Sequence, residues 1–485
     1  MERQINKILI ANRGVSAVRI MHTCRDRRIS AAAIYSTPDR LAEHVLMADV
    51  AVHIGEAPPK DSYLDMDRII AAAHSTGADA VHPGYGFLAE NDQFARKVID
   101  SGLTWIGPPP DVMAAMGNKI EAKRLAQKFN VPVIPGISDV SSADDIHKWI
   151  DEQSITFPIV IKAAAGGGGK GMVKVDRRED IGRAFEQARS ESKKAFGCDE
   201  ILVEKFIERG RHIEVQVVAD NHGNVVHLYE RECTIQRRNQ KLIEEAPSPS
   251  LTPMLRTEIC ETAAHLMRSI NYRSVGTVEF MFDSATNRYY FLEVNTRLQV
   301  EHGITELVTG LDVVGIMIDI AAGQSLPFRQ RDVVSNRWAL EVRLNAEDPR
   351  TLSPSFGRIT RLELPFSHYT RVTSGVYEGA HIPPYYDSLL MLLMTTGPTR
   401  RSAIKVMDRV LSRNLRVEGV KTTQSLLLSI LRHPSFISGE FTTSFVEENF
   451  DKLIATFKDT EGEDEVLKIA RYVATISALG PQEWM

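Results

Sequence analysis

The chain has 485 residues, of which 43% are hydrophobic and 25% are charged, and its formal net charge is -5. At ~150 residues per domain, this length allows about three domains with substantial cores. The charge balance excludes the basic surface that attracts nucleic acids and anionic membranes, and no apolar run approaches the ~20 residues that cross a bilayer. We therefore expect a large globular protein without nucleic-acid or membrane partners.

The first residues, MERQINKILIANRG, begin a strand pattern directly and lack the layout of a signal peptide, which favours a cytoplasmic location. The cysteines show no Cys-x-x-Cys spacing; they are Cys24, Cys198, Cys233 and Cys260. Such scatter argues against a disulfide framework, a zinc site or a redox pair.

Residues 1–115 alternate short apolar runs with helical patterns. The runs KILIA, AAAIYS and ADAVHPG predict strands, and helices are predicted over about 15–27 and near 66–75. This rhythm is typical of a parallel α/β domain. The stretch GPPPD closes the domain, and AMGNKIEAKRLAQKFN is predicted to form a helix after it.

Residues 116–330 change to short strands, turns and intervening helices, which indicates an α+β domain. The turns DNHGN and DSATN, at 220–224 and 283–287, predict hairpin connections. A third region, 331–450, begins with the strand pattern RWALEVRLNAEDP and ends with two helical stretches near 401–432. Residues 451–485 form a C-terminal extension, with a charged connection to a short terminal helix.

A glycine run follows a predicted strand in IKAAAGGGGKGM, and it contains Gly166, Gly167, Gly168 and Gly169. Without side chains in the way, the backbone amides of such a run can close over phosphates. The run matches neither the P-loop nor the dinucleotide fingerprint, so a flexible hairpin is the alternative interpretation. Lys162, at the end of the strand, and Lys119 are candidates for the positive charge that a bound triphosphate needs.

A pair of carboxylates lies on two predicted strands joined by the five residues SATNR. This connection places Glu279 across from Glu293, and Asn295 lies two residues further on the same face. Like charges in this arrangement are destabilising unless a cation lies between them, and Mg²⁺ prefers such oxygen ligands. Two carboxylates on a solvated sheet face are the alternative.

The polar run NTRLQVEHGITE follows this hairpin. Arg297 could hold a planar oxyanion through two hydrogen bonds, with Gln299 and His302 nearby, and Glu301 could act as a general base on the same ligand. A structural salt-bridge cluster is the competing interpretation. Lys241 in RECTIQRRNQKLIEEAP and Arg343 in EVRLNAEDP also fit this site, although basic runs are normally solvated faces. The aromatic Tyr85 in HPGYGFLAEN could line the same cleft, and a core position is the alternative.

Eight segments in the same order, from about residue 5 to 450, together resemble the biotin carboxylase family: NRG at 12–14, HPGYGFLAEN, KAAAGGGGKGM, RECTIQRRNQK, EAPSPS, the hairpin from Glu279 to Asn295, RLQVEH and LNAEDP. The resemblance implies an ATP-grasp fold over 116–330, with a mobile lid at about 133–204. It also implies a flanking N-terminal, Rossmann-like biotin carboxylase domain over 1–115 and a C-terminal one over 331–450.

The resemblance also implies roles for residues at matched positions. The residues implied to contact ATP are Lys119, Lys162, the glycine run, Glu204, Lys205, Phe206, Ile207, His212, Gln236, Asn239 and Met281. The residues implied to hold Mg²⁺, or Mn²⁺, are Glu279, Glu293 and Asn295. The residues implied to surround bicarbonate and biotin are Tyr85, Lys241, Arg297, Gln299, Val300, Glu301 and Arg343.

In the implied reaction, Glu301 makes bicarbonate nucleophilic towards the γ-phosphate of ATP. The resulting carboxyphosphate gives carbon dioxide and a phosphate that removes the biotin ureido proton, and Arg343 stabilises the biotin enolate. No lysine stands in a biotin-acceptor motif. The implied partners are therefore a separate biotin carboxyl carrier protein and carboxyltransferase subunits, which choose the final acyl-CoA or oxo-acid acceptor; a homodimer is also implied.

The sequence departs from the usual family pattern at five positions. Val15 stands where glutamate is common, and Gly303 stands where proline is common. Asn239 stands where many members have an ATP-contacting histidine, although asparagine also occurs in propionyl-CoA carboxylase-like members. Thr373 replaces a common acidic residue and Leu392 a common lysine. If the last two charges normally pair, their joint loss is nearly neutral.

Two other functions remain as alternatives. Another ATP-grasp ligase, joining a carboxylate to an amine, would share the phosphate and magnesium features, but it would not need the basic pocket around Arg297. A catalytically silent, ATP-binding scaffold subunit would keep the fold without turnover.

Overall fold

The computed structural model describes residues 3–138, 140–163, 172–196 and 200–457. Three sequence-based predictions lie outside these ranges: the conformation of the glycine run, the state of Cys198 and the terminal helix. Cys24 and Cys260 are free and buried, as expected of ordinary core thiols. Cys233, for which the sequence supports no such expectation, is also free and buried.

The N-terminal region is a five-stranded parallel sheet in the order β3-β2-β1-β4-β5, flanked by helices. Its elements are β1 (Lys7–Ile10), α1 (Gly14–Asp26), β2 (Ser30–Ser36), α2 (Glu43–Met47), β3 (Val50–Gly55), α3 (Met66–Thr76), β4 (Ala80–His82), α4 (Asp92–Asp100) and β5 (Thr104–Trp105). Asp65 and Asn91 cap α3 and α4 by accepting hydrogen bonds from backbone N–H groups. The parallel α/β prediction is confirmed, with both predicted helices in place.

The single helix predicted for AMGNKIEAKRLAQKFN is wrong. Two helices occupy this part of the chain, α5 (Pro110–Gly117) and α6 (Lys119–Lys128). Asn118 separates them with an extended backbone, and its side chain accepts a hydrogen bond from the N–H of Glu121. Asparagine ends one helix and caps the next because its short side chain competes with the helical hydrogen bonds.

A small antiparallel sheet, in the order β6-β9-β7-β8, lies within the segment predicted as a lid. Its elements are β6 (Gly136–Ile137), α7 (Ala143–Gln153), β7 (Ile159–Ala163), β8 (Met172–Val175), α8 (Ile181–Phe196) and β9 (Ile201–Lys205). The sheet and its two helices enclose a core of their own around Ile146, Ile161 and Phe185. This separate core makes the segment a distinct packing unit.

An eight-stranded antiparallel sheet, in the order β14-β13-β10-β11-β12-β15-β20-β18, forms the centre of the protein. The elements up to residue 321 are β10 (Gly210–Ala219), β11 (Val225–Arg237), β12 (Gln240–Ala246), α9 (Pro253–Ser269), β13 (Ser274–Asp283), β14 (Arg288–Asn295), α10 (His302–Thr309) and α11 (Val313–Ala321). Both predicted hairpin connections are confirmed. The second has four residues rather than five, because β14 already begins at Arg288.

The C-terminal region continues the same sheet, since β12 pairs with a strand that begins at residue 338. Its elements are β15 (Trp338–Asn345), β16 (Gly357–Arg358), β17 (Arg361–Glu363), β18 (Thr370–Ser374), β19 (His381–Ile382), β20 (Leu389–Gly397), α12 (Arg400–Arg409), β21 (Arg416–Glu418), α13 (Gln424–Arg432), α14 (Pro434–Ser438) and α15 (Phe445–Ala455). The two predicted helical stretches correspond to α12 and α13. Among the described elements, no helix combines the length and apolar character needed to cross a membrane.

Three of the unusual residues lie together between α1 and the large sheet. Thr373 and Leu392 are direct neighbours on β18 and β20. Val15 belongs to the same buried apolar cluster as Leu392 and Met394. The positions where the family pattern has charges are therefore uncharged and buried in this chain.

Gly303 has a separate structural explanation. A Cβ atom at this position would lie 2.4 Å from Sδ of Met394, well inside contact distance. Met394 thus occupies the space that the usual proline would need.

Candidate active site

One cavity of about 960 Å³ lies between the small sheet, the large sheet and the N-terminal region. Of the residues implied to act on ligands, those that line it are Tyr85, Lys119, Lys162, Glu204, Lys205, Phe206, Ile207, His212, Gln236, Asn239, Lys241, Met281, Glu279, Glu293, Asn295, Arg297, Gln299, Val300 and Arg343. The sequence-based set is therefore brought together, apart from the undescribed glycine run and Glu301.

Two lysines meet a buried carboxylate at the small-sheet end of the cavity. Lys162 of β7 donates to one oxygen of Glu204 at 2.6 Å, and Lys123 of α6 donates to the other at 2.8 Å. Burial alone would raise the pKa of Glu204, but the two ammonium groups outweigh it and lower that pKa. Sequence reasoning missed Lys123, which lies one helical turn after Lys119 and so on the same face of α6.

Apolar side chains continue the cavity wall beyond Glu204. Phe206, Ile207 and Met281 line this part, and Lys205, which also lines the cavity, donates to the backbone oxygen of Thr156 at 2.8 Å. An apolar wall next to backbone polar groups is the usual environment of a planar ligand such as a nucleobase.

Asn239 lies in the two-residue turn between β11 and β12, where φ is 49° at Arg238 and 62° at Asn239. Positive φ at both positions is characteristic of a tight hairpin, and asparagine tolerates this conformation better than most residues. The turn thus holds Asn239 at the cavity wall while β12 continues towards Lys241.

Glu279 on β13 and Glu293 on β14 are direct cross-strand neighbours, as the sequence predicts. Asn295 donates to Glu279 at 2.8 Å, so these three oxygen-bearing side chains share one patch of the cavity wall. Burial and the neighbouring charge of Glu279 raise the pKa of Glu293. Two carboxylates and an amide oxygen on adjacent strands fit a hard divalent cation, which would relieve this repulsion.

His212 of β10 completes this patch. Its Nε2 lies 2.9 Å from Oε2 of Glu279. Burial lowers the pKa of His212, but the Glu279 carboxylate outweighs it, so the net pKa is raised.

Lys241 connects three buried carboxylates. Its Nζ donates to Glu214 at 2.5 Å, to Glu301 at 2.6 Å and to Glu279 at 3.1 Å. Burial opposes the charge on Lys241, yet these carboxylates raise its pKa well above the ordinary value, so the ammonium group is charged at neutral pH.

Glu301 lies just behind the cavity wall rather than in it. Its second oxygen accepts from Nη2 of Arg343 at 3.0 Å, and Nε of Arg343 donates to Glu244 at 2.7 Å. Burial would raise the pKa of Glu301, but Lys241 and Arg343 hold it well below the ordinary value. The carboxylate is therefore ionised and is flanked by two cations that do line the cavity.

Arg297 is held by four polar contacts. It donates to Glu90 and Gln299, each at 2.9 Å, to Asn295 at 3.0 Å and to the backbone oxygen of Leu298 at 3.2 Å. Glu90 belongs to the HPGYGFLAEN segment, and sequence reasoning missed it. The segment therefore contributes a charge to the site as well as Tyr85.

Two further buried charges were missed, Glu214 of β10 and Arg231 of β11. Nε of Arg231 donates to Glu214 at 2.5 Å, and both side chains are fully buried. Glu214 lies two residues after His212 on the same strand, so the strand period places both on one face. That spacing is the signal from which Glu214 could have been predicted.

The cavity thus joins two chemical environments. One end has lysines, an apolar wall and a divalent-cation patch, which suit a nucleoside triphosphate. The other end has Lys241, Arg297 and Arg343 around an ionised carboxylate, which suits a small oxyanion that must lose a proton. A fold and site of this kind define an ATP-dependent ligase.

Comparison with known families divides the chain into three matches. Residues 4–113 match "Biotin carboxylase, N-terminal domain", residues 118–329 match "Carbamoyl-phosphate synthase L chain, ATP binding domain", and residues 341–448 match "Biotin carboxylase C-terminal domain". The predicted architecture, an ATP-grasp fold between two biotin carboxylase domains, is confirmed.

Two curated relatives are similar over most of this chain. Biotin carboxylase 1 of Bacillus subtilis is 44% identical over 445 residues, which cover 91% of this chain and 98% of the relative. The propionyl-CoA carboxylase alpha chain of Ruegeria pomeroyi is 46% identical over 467 residues, which cover 92% of this chain and 68% of the relative.

A similar solved structure is the biotin carboxylase domain dimer of Hydrogenobacter thermophilus 2-oxoglutarate carboxylase, in complex with MgADP, ADP and bicarbonate. It has a TM-score of 0.88 and 42% identity, and the match covers 93% of this chain and 99% of that domain. This chain belongs to the biotin carboxylase family.

Proposed function

We propose that this chain carboxylates biotin on a separate carrier protein, with ATP and bicarbonate as the other substrates. The observation that carries this proposal is the contact of Glu301 with both Lys241 and Arg343, at 2.6 and 3.0 Å, beside the cavity. An oxyanion held by the two cations lies next to an ionised base. Bicarbonate has the charge, the size and the removable proton that this arrangement requires.

The first step activates bicarbonate. Glu301 accepts its proton, and a bicarbonate oxygen attacks the γ-phosphorus of ATP as the bond to the ADP oxygen breaks. Lys162, with Lys119 across the cavity, provides positive charge for the phosphates. The products of this step are ADP and carboxyphosphate.

The second step transfers the carboxyl group. Carboxyphosphate splits into carbon dioxide and phosphate, and the phosphate removes the ureido proton of biotin. The ureido nitrogen then attacks carbon dioxide. Arg343 lies at the cavity wall with its charge directed by Glu244 and Glu301, and it stabilises the negative oxygen of the biotin enolate.

Glu279, Glu293 and Asn295 would hold Mg²⁺ or Mn²⁺. A divalent ion bound there supplies positive charge to the phosphates of ATP. The residues themselves contribute a preformed patch: the hairpin fixes the two carboxylates opposite each other, and His212 and Lys241 hold Glu279 in place.

The family matches support three functional regions with boundaries near residues 115 and 330, followed by an extension after residue 450. We infer a carrier protein and a carboxyltransferase as partners, because a relative is the alpha chain of a propionyl-CoA carboxylase. The dimer of the Hydrogenobacter domain supports a homodimer.

Phosphate release from ATP by the purified chain tests the proposal, with Mg²⁺ present and bicarbonate and free biotin each added or omitted. We expect release that requires bicarbonate and rises with biotin. Binding of ATP without such turnover would support the silent scaffold instead. Turnover that requires an amine would support another ATP-grasp ligase.

A further inference from the structure

Glu341 is a buried carboxylic residue to which the proposed reaction assigns no role. It lies on β15, directly opposite Glu244 of β12 on one side and Met394 of β20 on the other. Its side chain is 0% exposed. Within the described residues, neither carboxyl oxygen has a hydrogen-bond partner.

The surrounding charges do not balance if every acid is ionised. Four fully buried glutamates lie around three cations; the glutamates are Glu214, Glu244, Glu301 and Glu341, and the cations are Arg231, Lys241 and Arg343. Each of the first three glutamates forms an ion pair with at least one cation. Glu341 forms none in the described part of the chain, and an unpaired buried charge is strongly unfavourable.

The groups that face Glu341 agree with this imbalance. Burial and then the charge of Glu244 raise its pKa well above the ordinary value, and the opposing effect of Arg343 is smaller. The charge of Glu301 also raises the pKa of Glu341, whereas the charge of Arg231 lowers it. Burial also raises the pKa of Glu244, to about 7, although Arg343 opposes this rise. Of the two opposed acids, Glu341 has no ion pair among the described residues, so its carboxyl group is the more firmly protonated at neutral pH.

Two neighbours of Glu341 belong to the site. A Cβ atom on Gly303 would lie 3.4 Å from Oε2 of Glu341, so the first turn of α10, just after Glu301, packs against this carboxyl group. The hydroxyl group of Tyr85 is buried and, among the described residues, has no hydrogen-bond partner. After burial, the charge of Glu341 is the largest influence that raises the pKa of Tyr85.

We propose that Glu341 is a positioning residue that remains a neutral carboxylic acid: it packs against the start of α10 and adds no further negative charge beside Arg343. An ionised Glu341 would add a third carboxylate to the surroundings of Arg343, beside Glu244 and Glu301, and would weaken its attraction for the biotin enolate. The inference rests on the function proposed for Arg343.

Three variants test this role. Glu341→Gln keeps a neutral polar group of the same shape, Glu341→Leu removes the polar group, and Glu244→Gln makes the matched change on the opposite strand. We expect Glu341→Gln to keep kcat and the KM for free biotin within about threefold of the wild type. We expect Glu341→Leu to raise the KM for biotin about tenfold with the KM for ATP unchanged. Glu244→Gln removes an ion-pair partner of Arg343, so it changes the pH profile for biotin, whereas Glu341→Gln does not.

Infrared difference spectra provide a readout that does not depend on turnover. At neutral pH, the difference between the spectra of the wild type and Glu341→Gln should show the carbonyl stretch of a buried protonated carboxyl group. A wild type without this band, or a Glu341→Gln variant as impaired as Glu341→Leu, would overturn the proposal. Wild-type values for Glu341→Leu would overturn the positioning role as well.

If Glu341→Leu does not fold, the infrared spectra and the pH profile of Glu341→Gln still test whether Glu341 is neutral. A wild type with the infrared band but without bicarbonate-dependent phosphate release would contradict the proposed function and leave the protonation of Glu341 intact.

Discussion

Thr373 and Leu392 face each other across β18 and β20, and both are buried. They occupy positions where related sequences commonly have an acid and a lysine, so an uncharged pair stands in place of a charged one. Replacement of a buried ion pair by apolar groups is nearly neutral, whereas one charge without its partner is destabilising by about 3–5 kcal/mol. The effect on stability of a charge at one of these positions should therefore depend strongly on the residue at the other.

We predict that Leu392→Lys alone lowers the free energy of unfolding by about 3 kcal/mol, since it buries an unpaired ammonium group. Adding Thr373→Asp should recover most of this loss. Chemical denaturation of the two single variants and the double variant measures the coupling as a double-mutant cycle. Single variants as stable as the wild type would contradict the prediction.

Removal of the candidate base should separate ATP binding from turnover. We predict that Glu301→Gln lowers bicarbonate-dependent phosphate release by about 10²–10⁴-fold, because the amide cannot accept the bicarbonate proton. ATP affinity, followed with a fluorescent nucleotide analogue, should change little, since Glu301 contacts Lys241 and Arg343 at the oxyanion end and not the lysines beside Glu204. Loss of nucleotide binding in this variant would point to a structural role.

The paired carboxylates predict a defect that depends on the metal. Glu293→Gln should raise the Mg²⁺ concentration needed for half-maximal turnover, because it removes a charged oxygen from the patch opposite Glu279. High Mg²⁺ should restore much of the rate. Glu440→Gln changes an exposed glutamate after α14 and serves as the control. An equal shift in both variants would argue against a metal at the hairpin.

Two buried histidines predict how stability depends on pH. His82 accepts a hydrogen bond at Nδ1 from the N–H of Gly84, and burial lowers its pKa to about 3. Burial lowers the pKa of His302 to about 4. Both bind a proton more weakly in the folded protein than in the unfolded chain, so their contribution is complete above pH ~6.5 and is lost as the pH falls towards 4.

Each histidine should contribute a slope of roughly 1.4 kcal/mol per pH unit in that window. The melting temperature measured from about pH 7 to pH 4.5 should fall, and it should fall less in His82→Asn, whose side-chain oxygen can replace the acceptor at Nδ1. A variant with the wild-type slope would show that His82 does not titrate in this window.

Local sequence patterns predicted the elements and the hairpin of the site well. Glu279 and Glu293 are separated by one short connection, so the strand period and the turn determine their pairing. The break at Asn118 was missed because apolar residues keep the helical spacing on both sides of it. The side-chain cap that separates α5 from α6 does not change this spacing.

Contacts between distant segments could not be predicted from spacing. Lys241 and Arg343 are about a hundred residues apart, and they meet at Glu301 only because β12 and β15 are neighbours in the sheet. The resemblance to a known family grouped these residues, but it did not show Lys123 beside Glu204 or Glu341 beside Gly303. Such relationships depend on side-chain packing, which the pattern of apolar residues leaves open.

The hydrogen bonds between β12 and β15 join the ATP-grasp and C-terminal regions in one continuous sheet. The two regions therefore share this sheet, although the sequence suggests a domain boundary near residue 330. A chain truncated before Trp338 would expose β12 as a bare edge and would separate Glu244 from Arg343. Exchange of the C-terminal region between relatives must therefore reproduce this strand pairing. In evolution, the two regions are expected to be inherited together, because the C-terminal region provides Arg343 to an oxyanion pocket whose Lys241 and Glu301 belong to the ATP-grasp region.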